Sequence, residues 1–115
     1  MPNIALLQAT ANLIMQDFEL TDKSLHHSTS YQDLLQQLLP VVSYLIDHDL
    51  ERLLWVLYKI DVDEDKAKFA LANIDDRSPA YILTDLIIQR ELKKAETRMA
   101  YRSKTKERVA DDIAI

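Results

Sequence analysis

In the segment Asp49-Leu-Glu-Arg-Leu-Leu-Trp-Val-Leu-Tyr-Lys-Ile60, eight of twelve residues are apolar and the longest unbroken apolar run, Leu53–Tyr58, lies inside it. A strand and a buried helix are the two readings of such a run. Leucine dominates over β-branched residues, which favours the helix. Asp49 stands where an N-cap accepts the first free amides, and Glu51 falls in the first turn, where the helix dipole favours an anion. Because the segment is apolar almost all round, it is expected to be the central, buried helix, with Trp55 and Tyr58 in the core rather than lining a ligand pocket.

The rest of the chain agrees with an all-α fold. Its 115 residues contain no glycine and no cysteine. Ordinary usage would supply about eight glycines. Hairpin turns, glycine-rich phosphate loops and dinucleotide fingerprints all depend on that residue. Without cysteine there are no disulfides, no thiol nucleophile and no Cys-ligated zinc. One domain is expected from the length.

Upstream, Ile4, Leu7, Ala11, Ile14, Met15 and Phe18 recur at spacings of three and four, which predicts a helix over about 3–18 with Asn3 as its cap. Residues 19–30 lose the period and read as a polar loop with a short turn around Leu25. Ser30 and Asp33 resemble a capping box. From there Leu34, Leu35, Leu38, Val42, Leu45 and Ile46 carry one apolar face across Pro40. That proline either kinks one helix or separates two, and the unbroken face favours the kink.

Downstream, Ala67, Ala70, Leu71 and Ile74 form a narrow helical face. Asp75-Asp76-Arg77 is a turn, and Ser78-Pro79 is a strong start signal for the last helix. That helix reads from Pro79 to about Arg108, with Ile82, Leu83, Leu86, Ile87, Ala95 and Met99 facing inward. The architecture expected is a single-domain bundle of four to five helices over residues 1–101. Residues 102–115 form a projecting or frayed basic helix end and tail.

Length supports the projection. A compact domain of this size has a diameter of roughly 34 Å. A 30-residue helix is about 45 Å long, so its own domain cannot cover all of it. Charge marks the same segment. Residues 1–89 carry a net charge of −8 and residues 90–108 a net charge of +5. Arg90, Lys94, Arg98, Arg102 and Lys106 recur every four residues, a row that drifts about 40° per step round the helix. These five are the candidate partner-binding residues.

Catalytic and metal-binding patterns are weak. Asp61-x-Asp63-x-Asp65 has the opening of a calcium loop, but Lys66 and Ala72 occupy the places of its glycine and bidentate glutamate. Acidic residues at a helix start explain it as well. His26, His27 and His48 have no metal-ligand spacing. Ser43, Asp47 and His48 are close in sequence without a triad pattern. No catalytic residue, cofactor or metal is therefore expected.

The function expected is a non-enzymatic helical protein–protein interaction module. It would be cytoplasmic, for want of a signal segment or a membrane span, and dimeric through its C-terminal helix. Its partner would be a second copy of itself or another acidic protein surface. The alternative is a nucleic-acid- or ribosome-associated protein that binds through residues 90–108. That alternative ranks lower because the acidic body repels phosphate.

Overall fold

The computed structural model describes residues 4–21, 25, 28–72 and 78–101 in full and residues 102–114 as helix backbone. Five helices follow one another: α1 (Ile4–Phe18), α2 (Tyr31–His48), α3 (Leu50–Ile60), α4 (Glu64–Leu71) and α5 (Pro79–Ala114). No strand occurs among the described residues. The all-α bundle with a long last helix is thus the fold.

Polar side chains set the helix starts. The Asp33 amide donates to Ser30 Oγ (3.1 Å), the Arg52 amide to Asp49 Oδ1 (3.2 Å), the Lys66 amide to Asp63 Oδ1 (3.1 Å) and the Tyr81 amide to Ser78 Oγ (3.1 Å). Asp33 reaches back one residue further than a standard capping box. It accepts from both the amide and the hydroxyl of Thr29 (3.2 and 2.6 Å), which hold its carboxyl below the usual range. Asp63 is therefore a cap, and Asp61 ends α3 in the left-handed region. Leu25 is buried in a short turn closed by the Ser28 amide on its carbonyl. Asn3, Ile74 and residues 75–77 lie outside the described residues.

Pro40 sits inside one continuous helix. Its ring deprives the Gln36 carbonyl of a partner. Both residues are exposed, so the lost bond falls on the solvent side and the apolar face of α2 runs on beneath.

The core joins Leu7 and Ile14 of α1, Leu34 and Leu38 of α2, Leu53 and Ile60 of α3, and Leu83 and Ile87 of α5. Helix α5 packs on each of the other four, closely on α1, α2 and α4. Tyr31 of α2 donates its hydroxyl to the Asp85 carboxylate of α5. Burial and that carboxylate raise the phenol well above its ordinary range. A smaller cluster of Leu6, Leu13 and Ala95 closes the far end of the α1–α5 seam.

Two expectations are corrected. Helix α3 is not buried all round: Leu53, Val56, Leu57 and Ile60 face the core, whereas Leu50, Leu54, Trp55 and Tyr58 are exposed. In addition, among the described residues α5 is last buried at Ala95, one turn earlier than its sequence suggests, and Met99 is 39% exposed. The helix continues to Ala114, and the molecule measures 58 × 29 × 26 Å.

Candidate interaction surface

Helix α3 needs only one face for the core, at positions 53, 56, 57 and 60. Its surplus apolar residues lie opposite. Leu50, Leu54 and Tyr58 follow one another at four-residue steps, so they form a stripe with Trp55 beside it. Tyr58 is 85% exposed and Trp55 59%.

Charged groups from α1 and from the start of α3 border this stripe. Lys59 Nζ lies 5.2 Å from the centroid of the Trp55 ring and 3.8 Å from Asp17 Oδ1. The indole face thus already holds a cation. Arg52 Nη2 donates to the Phe18 carbonyl at the end of α1 (3.1 Å) and to Glu19 Oε2 (3.5 Å). Between these pairs is an open cleft of about 430 Å³, walled by Trp55, Arg52 and the carboxylates of Asp17, Glu19, Asp49 and Glu51. Across Arg52 an adjoining hollow of about 360 Å³ is bordered by Tyr44 and His48, whose rings lie 4.5 Å apart. His48 therefore packs on an aromatic ring. His26 and His27 lie outside the described residues.

Behind Asp17, on α5, the side chain of Glu91 is wholly buried. Burial pushes its carboxyl up to about 8, reinforced by the hydrogen bond to Asp17 and the charge of Asp17, and opposed by Lys94 and Arg98. As two carboxylates the pair would have no donor, and neither Glu91 oxygen meets one among the protein's fixed hydrogens. Protonation of Glu91, which its raised value favours, would supply the missing donor. The sequence reading missed this residue. Its signal was positional, since Glu91 falls one turn after Ile87 and one turn before Ala95, on the inward face of α5.

The five cations do not form one free row. Arg90 Nε donates to the Asp61 carbonyl (3.2 Å) and Arg90 Nη2 to Asp61 Oδ2 (3.4 Å), which fastens α5 to the end of α3. Lys94 Nζ lies 3.9 Å from Glu91 Oε1. Arg98 is exposed beside a shallow hollow of about 200 Å³ between α1 and α5. Arg102 and Lys106 are on the helical extension, and their side chains lie outside the described residues. One of the candidates, Arg90, therefore serves the bundle itself. No helix among the described residues is long and apolar enough to cross a membrane. No known protein family, curated protein or solved structure matches the chain.

Proposed function

We propose that the chain is a non-enzymatic helical interaction module that self-associates through its C-terminal helix. One observation carries this reading: among the described residues α5 is last buried at Ala95 and exposed from Glu96 to Tyr101, yet its helix runs on to Ala114. Helices α1 and α5 are antiparallel, since Asp17 meets Glu91 while Ala9 and Leu13 border a hollow with Ala95 and Met99. From the level of Ala9, α1 has about 8 Å left and α5 about 22 Å, so α5 outruns its neighbour by about 15 Å. Isolated helix in water is only marginally stable, and tertiary packing is its usual support. A second copy provides such packing, and two-fold pairing is the commonest oligomer symmetry. The acidic body, with a net charge of −8 over residues 1–89, repels phosphate, which favours the protein partner over nucleic acid.

Light scattering on a size-exclusion column tests it. One chain is 13.3 kDa. The expected result is twice that mass, falling toward one chain when Arg98 and Arg102 are both changed to glutamate. A monomer at every concentration refutes the reading, and co-eluting absorbance at 260 nm replaces it with the nucleic-acid one.

A further inference from the structure

We infer that the acidic, aromatic cleft beside Trp55 is the receiving site for the basic extension of α5 from a second copy of the chain, each copy serving the other. This inference rests on the self-association reading and adds to it the surface that receives the helix.

Charge selects the cleft. Four carboxylates and one guanidinium border it, a net charge of −3; Glu19 faces that guanidinium, and Asp17 faces Lys59 Nζ at 3.8 Å. The hollow at Asp61 and Asp63 is balanced by Lys66, Arg90 and Lys93, and the one beside Met99 carries Arg98 with no acid. The extension is the complement, with Arg102, Lys104, Lys106 and Arg108 against a single Glu107 before residue 109. Chemistry fits as well as charge. The Trp55 face holds Lys59 at 5.2 Å, and Tyr58 is mostly exposed beside it, so the rim can take further ammonium or guanidinium groups.

Direction requires the helix to come from another molecule. The cleft lies at the end of α1, next to Asp17 and therefore at the level of Glu91. From Glu91 the extension runs the other way, and Arg102 to Arg108 lie about 17–26 Å further along the same helix. A rigid helix cannot fold back to its own cleft. In an antiparallel pair of copies, the extension of each reaches the level of the other's cleft, and the two contacts are equivalent, as closed two-fold symmetry demands.

A charge-swap cycle in the full-length chain is the test, read by light scattering and by the emission of Trp55, the only tryptophan. Glu19→Lys with Glu51→Lys reverses the cleft from a net charge of −3 to +1, and Lys104→Glu with Lys106→Glu reverses the extension. Each variant alone is expected to dimerise roughly tenfold or more weakly than the parent, while an equimolar mixture of the two recovers the dimer. Circular dichroism establishes that each variant is folded, and Trp55→Ala provides an uncharged probe of the same cleft. A parent that dimerises while both charge variants and Trp55→Ala dimerise equally well overturns this inference and leaves self-association standing. A mixture that stays monomeric also overturns it. A parent that never dimerises refutes self-association itself.

Discussion

The carboxyl of Glu91 on α5 is wholly buried beside that of Asp17 on α1, and burial together with the Asp17 charge pushes it up to about 8. Desolvation and the neighbouring carboxylate both disfavour the charged form of Glu91. Its folded value, about 8, exceeds the ordinary 4.5. The folded state therefore binds more protons than the unfolded state between those two values. Stability contributed by this group is complete below pH 4.5, falls as pH rises toward 8, and levels off above it. Glu91→Gln keeps the shape and a donor without the titration. Its melting temperature at pH 8 should exceed that of the parent by about 4 °C or more, with little difference at pH 4.5. Equal pH profiles for the two proteins would show that Glu91 is not protonated in the fold.

Glu19 and Asp61 both occupy the left-handed region, with φ of 56° and 69°. This region costs most L-residues roughly 1–2 kcal/mol; aspartate enters it more readily than glutamate, and the chain has no glycine to take either place. Each is met by an arginine from another helix, Arg52 at the end of α1 and Arg90 at the end of α3. The Glu19 pair is exposed on both sides, so it contributes little. Glu19→Gly should therefore raise stability by about 0.5–1 kcal/mol, read as a shift in the urea midpoint at constant slope. Asp61→Gly should be more stable than Asp61→Ala by about 1 kcal/mol, since both lose the carboxylate but only alanine keeps the strain. The reverse order would contradict the backbone assignment at Asp61.

Most of the architecture was legible because it depends on local chemistry. Ser30, Asp49 and Ser78 announced three helix starts, and each caps through the side-chain oxygen that made it recognisable. The apolar face across Pro40 outweighed the proline, because the lost hydrogen bond falls on the solvent side. The candidate surface was less legible. Hydrophobicity alone put Trp55 in the core, but burial is decided by how many neighbours a helix has, and α3 has them on one side only. The cationic row was visible as spacing. That Arg90 is tied to Asp61 depends on tertiary placement, which spacing does not encode.

The two faces of α3 make opposite demands on substitution, and stability separates them. Leu53 is completely buried among core side chains, so Leu53→Ala removes buried methyl groups and leaves a cavity. Its cost should be about 2–5 kcal/mol. Trp55 presents more than half of its surface to solvent, and the Lys59 ammonium lies over its ring. Trp55→Ala should cost less than about 1 kcal/mol in a dilute sample, because it loses one exposed cation–π contact and little packing. Urea unfolding followed by far-ultraviolet circular dichroism measures both variants without using the tryptophan as reporter. In the parent, acrylamide should quench Trp55 readily at low protein concentration and less readily as concentration rises, if its exposed face is where a second molecule sits. A Trp55→Ala cost as large as that of Leu53→Ala would place the indole in the core and remove the surface on which the docking argument stands.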